Sequence, residues 1–189
     1  MKKIVIRFNA PVILTFALLS LLALLLGNWT NGATTYQYFS VYRASLSDPL
    51  TYLRFFGHVL GHADYEHYMS NMLLILLVGP GLEEKYGSGT MVWIIALTAL
   101  ITGLVHFLFF PNTVLLGASG VVFMMIVLSS FTAMRRGEIP VTLILVVIFY
   151  LGGEIMDGLF KQDSISQITH IVGGLCGLVF GFTIRRGRR

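Results

Sequence analysis

Six apolar runs divide the chain, separated by polar, charged or glycine-rich stretches. They cover about 10–26, 67–82, 90–110, 116–133, 140–154 and 167–184. Each approaches the ~20 residues that a helix needs to cross a bilayer. Pro11 falls in the first turn of the first run, where its missing N–H costs little. The pattern predicts an all-α fold, a polytopic bundle of six transmembrane helices.

The stretches between the runs differ in kind. The one at about 27–66 carries Trp29, Tyr36, Tyr38, Phe39, Tyr42, Tyr52, Phe55, Phe56 and Tyr65. Aromatics at this density suit a membrane interface. Some forty residues is too long for a slack connection in a compact protein. Short helices lying partly among the lipid headgroups are expected there. The connection between the second and third runs, Glu83-Glu84-Lys85-Tyr86-Gly87-Ser88-Gly89, is short. One membrane domain over 1–189 follows, with a long outer loop at about 27–66.

Composition agrees. Hydrophobic residues make up 56% of the chain and charged residues 12%, against roughly 25% charged in soluble domains. The net charge of +4 does not point to nucleic acid, because the basic residues sit beside apolar spans. Cys176 is the one cysteine, so no internal disulfide can form. Met1-Lys2-Lys3 before an apolar segment has the outline of a signal peptide. No small-x-small cleavage site follows Leu26, and the segment reads as a retained first span.

Basic residues orient the bundle. Lys2, Lys3, Arg7, Lys85, Arg135, Arg136, Arg185, Arg186, Arg188 and Arg189 fall on one side, and Arg43, Arg54 and Lys161 on the other. The richer side is cytoplasmic by the positive-inside rule. Both termini are then cytoplasmic, and spans two, four and six run inward from the outer face. The expected location is a cell membrane, crossed several times: the bacterial inner or plasma membrane.

Within this frame one stretch stands out. Gly117-Ala118-Ser119-Gly120 opens the fourth span. Small residues there admit a close neighbouring backbone, which serves helix packing. They also leave room for a substrate backbone beside the hydroxyl. Free N–H groups at a helix N-terminus favour negative charge at the same place, as a nucleophile that generates an oxyanion requires. The motif alone fits either role.

The topology adds partners. His67 and Asn71 begin span two, Ser119 begins span four, and His170 lies near the start of span six. All four come to one depth near the outer surface. Polar groups in a membrane are expensive and usually functional, so a water-accessible site is implied. His67 and Asn71 share a helix face through their four-residue spacing. His170, Gly173, Gly177 and Gly181 share another, on which span six can press closely against a neighbour.

Gly117-Ala118-Ser119-Gly120, His170-Ile171-Val172-Gly173 and His67-Tyr68-Met69-Ser70-Asn71 together resemble the rhomboid family of intramembrane serine proteases. The resemblance spans all six runs and takes in Arg54 and the Glu83…Gly87-Ser88 connection. It implies a catalytic dyad of Ser119 and His170 with no essential carboxylate. It implies an oxyanion site of His67, Asn71 and the Ser119 N–H. Gly117, Gly120, Phe123 and Gly173 would shape the site. Two positions depart from the family pattern. Leu53-Arg54 stands where Trp-Arg is common, and Phe123 stands where many bacterial members have tyrosine. Phe123 can stack on His170 but cannot hydrogen-bond to it.

The other polar residues read as structural. His58 and His62 should hydrogen-bond within the first loop, with His62 near the oxyanion region. His106 has no evident partner in the sequence. Glu154 and Asp157 read as a solvated helix end, and Glu83 as a capping or pairing residue at the cytoplasmic face. No His-Glu-x-x-His pattern occurs, and neither a metal nor a cofactor is expected. The expected partners are transmembrane protein substrates and the bilayer, not nucleic acid. The resemblance implies peptide-bond hydrolysis in or beside a substrate's membrane span. A non-catalytic binder of client spans and a small transporter are the rival classes. The first generally lacks the serine or histidine present here. The second fits poorly with polar residues confined to the outer third of the spans.

Overall fold

The structure is a computed structural model that describes residues 8–132, 138–152 and 164–184. Its named elements are all helical, and the bridge between Val41 and Leu115 is isolated. The helices are α1 (Pro11–Trp29), α2 (Ala33–Tyr38), α3 (Pro49–Gly57), α4 (Tyr65–Tyr86), α5 (Ser88–Phe109), α6 (Ser119–Ser130), α7 (Val141–Val146) and α8 (Ser164–Thr183). A 3-10 turn at His58–Leu60 follows α3, and a π-helical turn at Val147–Leu151 continues α7. Helices α1 and α5 are long and apolar enough to cross a membrane. The α6 segment Ser119–Ser129 and the α8 segment Gln167–Thr183 are shorter apolar helices.

Contacts between named residues set the directions. Val12 and Ile13 meet Glu83, and Ala17 meets Tyr68, so α1 and α4 are antiparallel. His67 lies against Gly117, while the Lys85 ammonium donates to the Thr132 carbonyl, so α4 and α6 run the same way. Gly173 faces Gly120, Gly177 faces Met124 and Val127, and Gly181 faces Phe131. Helices α6 and α8 are therefore parallel. The result gathers the first turns of α4 and α6 and the His170–Gly173 turn of α8 at one end of the bundle.

Helix α6 is the hub. Val121, Met124, Val127 and Leu128 have no exposed surface, and nine of its twelve residues are buried. A helix that is apolar all round belongs in the interior. Its partner α8 comes close because of glycine. A Cβ at Gly173 would lie 2.9 Å from the Gly120 Cα and nearer still to its carbonyl oxygen.

At the opposite end Glu83 holds α1. Its side-chain oxygens accept the N–H groups of Val12 and Ile13, both at 3.0 Å, and the Ser88 hydroxyl at 2.6 Å. The first N–H groups of a helix lack intrahelical partners and carry the positive end of its dipole. A buried carboxyl group satisfies both needs. The Glu83–Gly89 stretch is thus not a free connection. Helix α4 continues to Tyr86, and Gly87, at φ 85°, alone separates it from α5. Glu83 must stay helical to face α1.

The first loop holds α2, α3 and the 3-10 turn, as its length predicts. Leu53 is half exposed and anchors nothing inward. Arg54 is the anchor. Its Nε donates to the Gln37 carbonyl at 2.8 Å, its Nη1 pairs with Asp48 at 3.2 Å, and its guanidinium lies 4.6 Å over the Tyr42 ring. Tyr52 and Phe56 are exposed on the far side of α3.

Candidate active site

The Ser119 turn is held from the first loop. Val41 and Leu115 exchange backbone hydrogen bonds of 2.8 and 2.9 Å. Two residues on, the Gly117 N–H donates to the His58 carbonyl at 2.9 Å. Gly117 has φ +122°, where a side chain is strained, and a Cβ there would lie 2.8 Å from Cε1 and Nε2 of His67. Glycine is required twice over, by the backbone and by the imidazole beside it. Helix α6 then starts at Ser119, and its first intrahelical bond runs from the Val122 N–H to the Ala118 carbonyl. The N–H groups of Ser119, Gly120 and Val121 thus have no partner within the helix.

His67 comes from the first turn of α4, which Asp64 caps by accepting the His67 N–H at 2.7 Å. The Ala63 N–H makes a long, 3.5 Å bond to His67 Nδ1. Nδ1 is then the acceptor and Nε2 carries the proton, on the edge of the ring that faces Gly117. Asn71, one turn further, is buried and donates one Nδ2 hydrogen to the His67 carbonyl at 2.9 Å. The second hydrogen of that amide remains to be placed.

His170 comes from α8. Its ring stacks on Phe123, with centroids 4.3 Å apart and planes at 7°. Phe123 is one turn along α6 from Ser119. The contact of Gly173 with Gly120 sets the depth at which α8 presents this imidazole. Ser119, His170, His67 and Gly117 therefore lie at the same end of the bundle, with Gly120, Phe123 and Gly173 packed beside them.

Three further histidines sit nearby in structural settings. His58 is fully buried. Its Nδ1 faces the Arg54 carbonyl at 3.2 Å and so carries the proton, which leaves Nε2 to face the Thr102 hydroxyl of α5 at 3.3 Å. Burial pushes its pKa down to about 4. His62 is also buried, with Nδ1 3.1 Å from the Leu60 carbonyl and its ring 5.0 Å from that of His67. Burial first, and the neighbouring His67 second, push it down to about 4. His106, which the sequence leaves without a partner, has one: its Nε2 lies 3.2 Å from the Thr113 carbonyl, and its ring stacks on Phe110. That bond closes the loop that leads from α5 to Ser119.

What the sequence does not announce is the backbone part of the site. The support given by Val41, Ala63 and the His58 carbonyl comes from main-chain atoms, which residue type does not reveal. Among the described residues no cluster of three His, Cys, Asp or Glu side chains is placed to hold a metal. Glu154 and Asp157 lie outside the described residues, as do all the basic residues used for orientation except Arg43, Arg54 and Lys85.

The chain is similar to known proteins over most of its length. The family model of the Rhomboid domain matches residues 49–187. The chain is 31% identical over 140 residues to Rhomboid-related protein 1 of Caenorhabditis elegans, covering 69% of this chain and 39% of that protein. It is 27% identical over 173 residues to Rhomboid-related protein 2 of Mus musculus, covering 78% of this chain and 56% of that protein. The chain thus spans less than two thirds of the length of either relative. With a family model matched across most of its length and helices apolar enough for lipid, this membrane protein belongs to the rhomboid family, a family of intramembrane proteases.

Proposed function

We propose that the chain is an intramembrane serine endopeptidase. It forms a single six-span domain in a cell membrane, the inner membrane in a bacterium, with both termini cytoplasmic and the Ser119 end outward. Its substrates are membrane proteins, cut in or beside a transmembrane segment near the outer face. The observation that carries this reading is the convergence at one end of the bundle. Ser119 opens a helix whose first N–H groups have no partner within it, His170 stacks one turn along it, and His67 lies over Gly117.

The chemistry follows from those positions. The imidazole of His170 takes the Ser119 proton as Oγ attacks the substrate carbonyl. The carbonyl oxygen becomes an oxyanion, and the donors on offer are the Ser119 N–H, His67 Nε2–H and the second Asn71 amide hydrogen. A strong donor of this kind is worth roughly 3–4 kcal/mol in the transition state. His170 then gives its proton to the leaving amine, and water hydrolyses the acyl-serine. Helix α6 is only twelve residues long, about 18 Å, against ~30 Å of hydrocarbon. With its far end near the inner surface, Ser119 would lie within the membrane, in a recess open to water from outside. A substrate helix has to unwind there, because in lipid its backbone groups bond to one another.

The test is cleavage of a single-span substrate by purified protein. Ser119→Ala and His170→Ala should each abolish turnover at equal membrane abundance, with the double variant little worse. A chain that binds client spans without catalysis would retain the substrate uncut in every form, including wild type.

A further inference from the structure

A groove runs between α1 and α5, the two helices long and apolar enough to cross a membrane. It begins at Pro11 and Ser88, the first residues of those helices, at the Glu83 end of the bundle. Thr15 and Leu19 line one wall, Val92 and Ala96 the other, and Phe56 and Leu60 of the first loop close it above. The loop reaches this far down because Gly103 admits the Phe55 backbone against α5. Leu19, Phe56 and Val92 are each about half exposed, so the groove is open along its side.

Its length, section and chemistry select one occupant. From Ser88 to Ala99 it extends about 16 Å along α5, and one leaflet contributes about half of the ~30 Å hydrocarbon layer. The groove is therefore one leaflet deep. A volume of about 500 Å³ over that length leaves roughly 30 Å² of section, too little for a helix ~10 Å across. Among the described residues, the only polar side chains that line it are Thr15 and Ser88, and the Ser88 hydroxyl is taken up by Glu83 at 2.6 Å. Walls this apolar do not hold water, and left bare they forfeit their dispersion contacts.

We infer that this groove binds one acyl chain of a phospholipid from the leaflet at the Glu83 end, and that the chain props the first loop from below. The end of the tail meets Phe56 and Leu60, which flank His58 in the sequence. The His58 carbonyl in turn holds the Gly117 N–H at 2.9 Å. A lipid on the face away from the Ser119 end thus supports the segment that holds the Ser119 turn.

The experiment uses the full chain in dipalmitoyl-phosphatidylcholine vesicles doped with the same lipid carrying a diazirine at one tail end. After illumination, adducts are mapped by mass spectrometry. Phe56 and Leu60 should be labelled several-fold more than Leu18 and Leu22, which are exposed on another face of α1. Ala96→Phe, which fills the groove, should bring the two pairs level. Thermal unfolding in detergent is the second readout, and neither readout involves cleavage. Palmitoyl-lysophosphatidylcholine should raise the wild-type Tm by about 5 °C, the octanoyl form should not, and Ala96→Phe should respond to neither. Even labelling of all four residues in wild type would mean that only bulk lipid touches the groove, and would overturn the inference. So would excess labelling that persists in Ala96→Phe, or equal Tm shifts from the two lysolipids.

Discussion

The imidazole of His170 lies flat on the ring of Phe123, 4.3 Å between centroids and 7° between planes. This contact ties a residue of α8 to α6 one turn from Ser119, and it fixes the tilt of the imidazole. Aromatic pairs add ~0.5–1.5 kcal/mol beyond their burial, so losing this one should cost up to about tenfold in rate. Phe123→Leu is expected to lower kcat with little change in Tm, and Phe123→Tyr to keep the stack and most of the activity. Steady-state cleavage and thermal unfolding of both variants check this. A Phe123→Leu enzyme with wild-type kcat removes the ring from the account.

Gly173 sets how deeply α8 sits. Valine there must displace the Gly120 backbone, which is the second residue of α6. Overpacking typically costs ~1–3 kcal/mol, and a 1 Å shift between reacting groups can cost ~100-fold in rate. Gly173→Val should insert normally and lose most cleavage. Val172→Leu, at a half-buried position beside it, should do far less. Equal rates for the two variants at equal abundance would mean that this contact does not position His170.

Glu83 acts far from the chemistry. Removing its side chain leaves the N–H groups of Val12 and Ile13 without acceptors, at a cost of about 2–4 kcal/mol. Glu83→Ala should therefore lower the Tm markedly, and Glu83→Gln, which keeps one acceptor oxygen, should lower it less. Well below the lowered Tm, Ser119 should still label. A Glu83→Ala protein as stable as wild type would show that α1 is held by its apolar contacts alone.

Acid should weaken the fold through the first loop. His58 and His62 both have pKa values pushed down to about 4 by burial, against ~6.5 in an unfolded chain. As pH falls, the unfolded chain takes up protons first, so stability rises with pH between about 4 and 6.5 and is lost going down. Each histidine contributes up to ~1.4 kcal/mol per pH unit in that window. Tm measured from pH 7 to pH 5 should fall, and His58→Gln should flatten part of the slope. A Tm independent of pH in wild type contradicts the burial of both rings.

Much of this was legible in the sequence. Apolar runs long enough for lipid predicted the helices, and the glycine spacing after His170 predicted the close face of α8. Phe123 could be placed under His170 because four residues separate it from Ser119. The sequence was silent where main-chain atoms act. Nothing in the identity of Val41 foretells its exchange of hydrogen bonds with Leu115, and the His58 carbonyl that holds Gly117 would be there with any side chain. Glu83 read as a capping or pairing residue and does cap a helix, but the helix it caps was not legible, because its partners are N–H groups seventy residues away. Leu53 stands where the family commonly has tryptophan, and it is Arg54 that anchors the loop through Gln37, Asp48 and Tyr42, contacts that depend on how the loop folds back.

The central claim is that Ser119 is a nucleophile activated by His170. Its most direct test is the reaction of the detergent-purified chain with a fluorophosphonate, with the adduct mapped by mass spectrometry. A single adduct on Ser119 is expected in wild type, with none in Ser119→Ala and a rate at least 100-fold lower in His170→Ala. An adduct on another serine, or labelling of Ser119 at the same rate without His170, would contradict it.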